Sequence, residues 1–258
     1  MYYYKTGIEG LDILLNKGIP DKTTIIFYGN TGTGIKVFTQ QFLFSGLMQN
    51  DLTYGIYFTA ERPAAEIAND MNFYNWKIDQ FVKQKKLFFI DAYTARHEKK
   101  FSGELSRYQG MDWDMGAANQ LRMVLLKKMT ELNDMRGEFE RKGKHLEIRG
   151  VIDSLSALLM NHSLDEVIDL FEAIQINVRR YGGIYIFLLV EGMHDPETVA
   201  TLSHMADGIF DFSTKERGPE LENVIRIKKL RNMIYSTKLI PYAITRDGIV
   251  IENVERII

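Results

Sequence analysis

The chain contains no cysteine. That excludes disulfides, thiolate zinc sites, iron–sulfur clusters and a cysteine nucleophile together. Proline is scarce, at 5 residues in 258, and no Pro/Gly/Ser-rich stretch marks a linker. Charge of one sign is lacking too: 32 Lys and Arg stand against 34 Asp and Glu, a formal net charge of −2. The broad basic surface behind most nucleic-acid binding is therefore missing. The most apolar stretch, Ile184 to Val190, is far too short to span a membrane. The opening MYYYKTGIEG is too polar for a secretory leader. These absences lead to the expectation of a cytoplasmic protein whose residues 1–258 form one domain, with 93–142 as a variable loop and long helix.

What is present alternates between strand and helix patterns. Thr23–Tyr28 is β-branched and aromatic and runs into a glycine-rich loop. Val37–Met48 then carries helical spacing through Phe38, Phe42, Leu43 and Leu47. Tyr54–Thr59, Leu87–Asp91, Gly150–Asp153 and Gly183–Val190 read as further strands. Ala64–Met71, Gly116–Lys142 and Asp165–Tyr181 read as helices between them. The tail from Phe210 to Ile251 alternates and turns, with a hairpin signal at Arg246-Asp247-Gly248. The pattern predicts an α/β fold: a mostly parallel sheet, helices on both faces, and antiparallel C-terminal strands along one edge. Tyr93–Gly116 is the least regular region, with a basic piece (Arg96, Lys99, Lys100) before an aromatic-acidic one. It reads as a solvated loop, with a partner-binding loop as the alternative.

The loop after the first strand is GNTGTGIK, Gly29 to Lys36. A phosphate loop follows G-x-x-x-x-G-K-[ST] between strand and helix, and its backbone N–H groups close around phosphates at a helix N-terminus. Gly29, Asn30, Thr31, Gly32, Thr33, Gly34, Ile35, Lys36 and Val37 are the candidate nucleotide-binding residues. Two of them break the pattern. Ile35 stands where the lysine belongs, and Lys36 stands where the Mg²⁺-binding hydroxyl belongs. Consecutive helical residues point about 100° apart, so Lys36 does not follow the usual path to the phosphates. Taken alone, the loop could equally be a glycine-rich turn that binds nothing. Asp153 ends a buried apolar strand, where an unpaired carboxylate is costly. It needs a metal, Lys36 or a helix N-terminus as partner, and the expectation is that Lys36 takes the metal's place beside it.

The surrounding segments are more specific than the loop. TGIEGLDILLNKGIPDKTTIIFYGNTGTG, Thr6 to Gly34, resembles the opening of RecA-superfamily ATPases of the KaiC and RadA-like group, through Thr6, Gly7, Ile8, Gly10, Leu11, Asp12, Leu14, Leu15, Gly18 and Pro20. GIYFTAERP resembles the strand ending in that group's catalytic glutamate, which falls on Glu61, with Arg62 in place of a second acid. RGVIDSLSALL is similar to the Walker B strand, with Asp153 as the metal-linked aspartate and Ser154 beside it. IRIKKLRNMIYSTKLIPYAITRDGIVI resembles the closing strands, with Lys229 and Arg231 on a K-x-R pair that reaches a neighbour's phosphates in KaiC-like hexamers, and Asn232 where glycine is usual. The resemblance implies a RecA-like P-loop core, ATP and Mg²⁺ (on Asp153) as cofactors, and self-association into an oligomer.

The departures concentrate at the chemistry, so the expected function is a pseudo-ATPase that binds ATP weakly or not at all and regulates or scaffolds through a protein or peptide partner. The alternatives are an active ATPase with an atypical phosphate loop and a recombinase-like DNA-binding protein. The last is disfavoured because EGMHDPETVATLSHMAD carries Glu191, Asp195, Glu197 and Asp207 without Lys or Arg. Lys229 and Arg231 alternate along a strand, and the plainer alternative for them is the charged face of an edge strand. Glu61 can orient or deprotonate water only if a phosphate is present. The five histidines show no metal-ligand spacing. Tyr2, Tyr3 and Tyr4 are expected to pack on a sheet edge or under a neighbouring chain.

Overall fold

The computed structural model describes residues 2–97 and 118–251, with side chains 118–121 left aside. A short N-terminal ribbon comes first: β1 (Tyr3–Tyr4) pairs antiparallel with β2 (Ile19–Pro20) around α1 (Glu9–Leu14). Then follow β3 (Thr23–Gly29), α2 (Ile35–Gln49), β4 (Thr53–Thr59), α3 (Ala64–Phe73), α4 (Asp79–Lys83), β5 (Leu87–Asp91) and α5 (Ala92–His97). After residues 98–117 come α6 (Ala118–Arg141), β6 (Glu147–Asp153), α7 (Leu155–Leu159), α8 (Leu164–Tyr181), β7 (Ile184–Val190) and α9 (Pro196–Met205). The chain closes on β8 (Gly208–Arg217), β9 (Glu220–Leu230), β10 (Ile240–Thr245) and β11 (Gly248–Val250).

Among the described residues, nine strands form the main sheet in the order β11-β10-β9-β8-β3-β7-β6-β4-β5. From β8 through β5 neighbours are parallel, and β9, β10 and β11 add antiparallel pairs on one side. The mixed α/β architecture is the expected one. Strand β3 shows why both faces are covered: Ile25 and Phe27 enter one core while Ile26 enters the other. Alternation by two sends successive side chains to opposite faces. Helix α2 covers the first face, and α6, α7 and α8 cover the second. Helix α8 begins on a capping box, in which Ser163 and Glu166 satisfy each other's backbone N–H.

Several expected bounds shift. Helix α2 starts two residues before the Val37 of the periodic pattern, and β6 begins at Glu147 rather than Gly150. The three extra β6 residues include Arg149, which hides a strand signal because it is charged yet fully buried. Its guanidinium donates to the Phe42 carbonyl at 2.8 Å and to Glu147 at 3.2 Å, and lies over the Phe42 ring. Gly46 makes the room, since a Cβ there would lie 2.1 Å from Arg149 Nε. Of the irregular region, Ala92–His97 is helical, whereas Lys99, Lys100 and the aromatic-acidic piece lie outside the described residues. Tyr4 is buried and Tyr2 stacks on His145, so the tyrosine start is covered in part by its own chain. No helix among the described residues is long and apolar enough to cross a membrane.

Candidate functional site

Parallel strands bring their C-terminal ends to one edge of the sheet, and the candidate site lies there. Gly29 ends β3, Thr59 ends β4 and Asp153 ends β6, with Thr59 and Asp153 in register. The loop from Asn30 to Gly34 joins β3 to α2. Gly32 and Gly34 have φ of +90° and +74°, which L-residues with a Cβ rarely adopt. Thr33 is buried, its hydroxyl donates to the Asn30 carbonyl at 2.7 Å, and its own carbonyl accepts the Tyr242 hydroxyl from β10. Asn30, Thr31 and Gly32 are exposed. The glycine loop is thus shaped as a turn over a helix N-terminus and tied to the antiparallel strands.

The two displaced residues separate. Ile35 turns inward and joins the core with only 7% exposure. Lys36 turns toward the strand ends. Its Nζ lies 2.7 Å from Glu61 Oε1 and 3.8 Å from Asp153 Oδ1. The expected pairing with Asp153 is therefore present, but as the longer of two contacts; Glu61 is the closer partner. Val37 is half-buried one residue further along α2.

Asp153 is wholly buried. Its Oδ2 accepts the Tyr57 hydroxyl at 2.8 Å, while its Oδ1 has no hydrogen-bond partner and lies 3.8 Å from the Lys36 ammonium. Burial raises its pKa above the usual carboxylate range, and Lys36 and the Tyr57 hydrogen bond oppose that rise. The Tyr57 phenol is pushed well up by burial and by Asp153, so it remains a donor. Ser154 caps α7 through Ala157 N–H and donates to Glu61 Oε2 at 3.4 Å. Arg62 leaves this cluster and pairs with Asp70 at 2.6 Å.

Tyr57 and Tyr242 escaped the sequence reading. The signal for Tyr57 was a phenol in the middle of a buried strand, YGIYFT, where its hydroxyl must find a partner. Tyr242 had a weaker signal, one polar tip in an alternating strand. Replacing Tyr242 by Phe is expected to lower stability by about 1 kcal/mol. Urea denaturation checks this, and the variant's loop should become more accessible to limited proteolysis at Asn30–Gly32.

Lys229 and Arg231 sit elsewhere. They are at the N-terminal end of the parallel strands, because β9 runs against β8 and its Leu230 faces Gly208. Lys229 donates to the Ser203 and His204 carbonyls closing α9, and Arg231 donates to Asp207. The edge-strand alternative for them is corrected: β9 is interior, and β11 forms that edge. Asp207 was also misplaced by counting it in an acidic loop; it is buried, accepting from the Thr24 N–H and hydroxyl. Asn232 has φ +59°, which explains a position where glycine is usual in the family, since Asn tolerates the left-handed region. No group of three or more His, Cys, Asp or Glu among the described residues is arranged to hold a metal ion.

A family model described as ATPase: KaiC matches residues 4–256. The chain belongs to the KaiC family of ATPases. A protein described as UPF0273 from Thermotoga maritima is 26% identical over 253 residues, covering 96% of this KaiC-family chain and 94% of that one. A UPF0273 protein from Pyrococcus furiosus is 26% identical over 252 residues, covering 96% and 92%. A circadian clock oscillator protein KaiC from Prochlorococcus marinus is 37% identical, over 87 residues covering 34% of this chain and 17% of that protein. The crystal structure of a KaiC-like protein from Pyrococcus horikoshii superposes with a TM-score of 0.69 at 20% identity, covering 97% and 99% of the two chains. At that identity the likeness speaks for the RecA-like fold alone.

The residues present do not fit Mg²⁺-ATP held in the manner the phosphate-loop pattern describes. Position 35 offers no charge to phosphate oxygens, and position 36 brings an ammonium to the carboxylates that would face a metal. A divalent cation there would meet Lys36 as a like charge.

Proposed function

We propose that this KaiC-family chain is a pseudo-ATPase, a RecA-like scaffold that regulates through contacts with a protein or peptide partner or with copies of itself in the cytoplasm. The observation that carries the reading is the position of Lys36 Nζ, 2.7 Å from Glu61 and 3.8 Å from Asp153. Glu61, which by family resemblance would prepare the attacking water, is spent on an internal cation. Asp153, which would serve Mg²⁺, has the same cation as its nearest charge. Ile35 in the core supports the reading from the other side, because nothing at that position reaches a phosphate. DNA stays disfavoured because Glu191, Asp195 and Glu197 follow the end of β7 in a stretch without Lys or Arg.

Isothermal titration with ATP and Mg²⁺, followed by a turnover assay, tests the reading. The expected result is a dissociation constant no tighter than about 1 mM and no phosphate release above background. Tight binding with turnover abolished by Glu61→Gln would instead make the chain a working ATPase with an atypical loop.

A further inference from the structure

The connection between α6 and β6 carries a histidine in a costly setting. Both ring nitrogens of His145 are buried, and neither finds a hydrogen-bond partner among the described residues. A neutral imidazole has one N–H to donate and one nitrogen to accept, so both capacities go unused. Buried polar atoms are nearly always paired, and two orphans on one ring call for a physical reason.

The neighbours of the ring supply one. The Tyr2 ring lies flat on the imidazole, with centroids 3.4 Å apart and planes 4° from parallel, and Tyr4 meets it edge-on at 6.3 Å. These two tyrosines bracket the start of the N-terminal ribbon. Strand β1 is held by two residue pairs with β2 and by the Asp21 N–H, which donates to the Tyr2 carbonyl at 2.9 Å. Tyr4 is wholly buried, with the Arg149 guanidinium over its ring. Tyr2 is 56% exposed. The Tyr2 end can therefore lift while Tyr4 stays in place as the hinge.

Charges face the imidazole from three further elements: Arg136 and Glu140 on α6, Asp21 in the turn ahead of β3, and Glu147 on β6. Burial and the Arg136 cation lower the histidine's pKa, and the three carboxylates oppose them. Burial works to raise the pKa of Asp21, but Arg136 and the Gly183 N–H hold it below its ordinary value, so it stays ionised while the histidine titrates. Protonation makes both ring nitrogens donors, and a buried cation without acceptors costs more than the neutral ring. The imidazolium must turn toward water, and the Tyr2 ring covers one face of it.

We propose that His145 and Tyr2 form an acid-released clasp on the N-terminal strand: the neutral imidazole holds Tyr2 down, and the protonated one lets it go. The clasp is independent of the pseudo-ATPase reading. Once released, Tyr2 leaves the wall of a cavity of about 550 Å³ that it lines together with Asp21 and Arg136. Water then reaches an ion pair that is buried while the clasp is shut. The direction follows from proton binding. With Tyr2 lifted, the histidine is solvated and has its ordinary pKa of about 6.5. With the clasp shut, its pKa is lower. Between the two values the open form binds more protons, so opening grows as the pH falls below about 6.5 and levels off below the closed-state pKa. A single proton limits the gain to about tenfold per pH unit.

Nuclear magnetic resonance on the full chain tests the clasp through the Asp21 N–H. Its protection against hydrogen exchange, corrected for the intrinsic rate, should fall by about threefold to tenfold between about pH 7.5 and about pH 5.5. The Gly55 N–H in β4, which donates to the Lys86 carbonyl at 2.7 Å, should keep its protection over the same range. His145→Phe leaves a ring for Tyr2 to stack on and cannot be protonated, so its Asp21 N–H should be equally protected at both pH values. Tyr2→Ala should lower that protection at both and return the His145 titration toward about 6.5. The proposal is overturned if Asp21 protection in the parent does not change with pH, or if His145→Phe loses it equally in acid. A parent His145 that titrates at or above its ordinary value overturns it too. Equal loss at Gly55 overturns it as well, because the chain is then loosening as a whole.

Discussion

Ile35→Lys combined with Lys36→Thr is expected to raise the affinity for Mg²⁺-ATP by roughly a hundredfold. Two charge-assisted contacts from a lysine to phosphate oxygens, at about 1.5–3 kcal/mol each, more than suffice for that after the cost of ordering the side chain. The second substitution matters as much as the first. Lys36 sits 2.7 Å from Glu61 and 3.8 Å from Asp153, and while it is there a divalent cation is repelled and the glutamate is occupied. Threonine at 36 restores a hydroxyl for the metal and frees both carboxylates. The single change Ile35→Lys should therefore gain much less, and its gain should survive EDTA, whereas the double variant should lose most of its gain when Mg²⁺ is removed. A stability loss accompanies the gain. Ile35 is buried in the core of the α2 face, and moving that side chain out costs about 1.5–3 kcal/mol before any snorkelling of the new lysine. Calorimetric titration with and without EDTA reads the first effect and thermal denaturation the second. If the double variant binds no better than the parent, the defect lies beyond these two positions. The tie from Tyr242 to Thr33 would then be the next place to look.

How far the site could be read before the fold was known differs from residue to residue. The loop, Glu61 and Asp153 were legible because each sits at the end of an apolar, β-branched strand, and parallel strands deliver their ends to a common edge. The order of the closing strands was legible as a class, since alternation and an Asp-Gly turn signal hairpins, and the turn falls between β10 and β11. Partner choice was not legible. That Lys36 prefers Glu61 over Asp153 depends on rotamers and on how far each carboxylate stands from the first turn of α2, neither of which spacing encodes. Asp207 illustrates the same limit. In sequence it belongs with an acidic loop; in space its segment has left that loop, and its carboxylate is shared among Thr24, Arg179 and Arg231, far away along the chain. Arg149 hid part of a strand, because periodicity counts arginine as polar while a cation stacked on Phe42 behaves as core.

Lys36→Met is expected to destabilise the chain by about 2–3 kcal/mol at neutral pH, and the loss should shrink as the pH is lowered. Removing one partner of a buried ion pair leaves an uncompensated charge and costs about 3–5 kcal/mol; the cost here falls below that range because Lys36 and Glu61 are 26% and 39% exposed and partly screened. The pH dependence follows from Asp153. Its folded-state pKa lies above the ordinary value, because burial outweighs Lys36 and Tyr57. Between the two values the folded chain binds more protons than the unfolded one, so Asp153 contributes a penalty that grows as the pH rises toward the folded pKa and is constant above it. Without Lys36 the folded pKa moves further up, and the window widens on its alkaline side. The gap between parent and variant should therefore be largest above the variant's folded pKa and close as acid protonates Asp153 in the variant first. Urea midpoints measured at a series of pH values give this directly. A gap that is the same at every pH would mean that lost packing of the lysine stem, not the buried charge of Asp153, carries the cost. Adding Glu61→Gln to the variant sharpens the result. Glu61 also raises the pKa of Asp153, so neutralising it should recover part of the stability that Lys36→Met removes. Recovery in the variant together with loss in the parent would identify Lys36 as the counter-ion of both carboxylates.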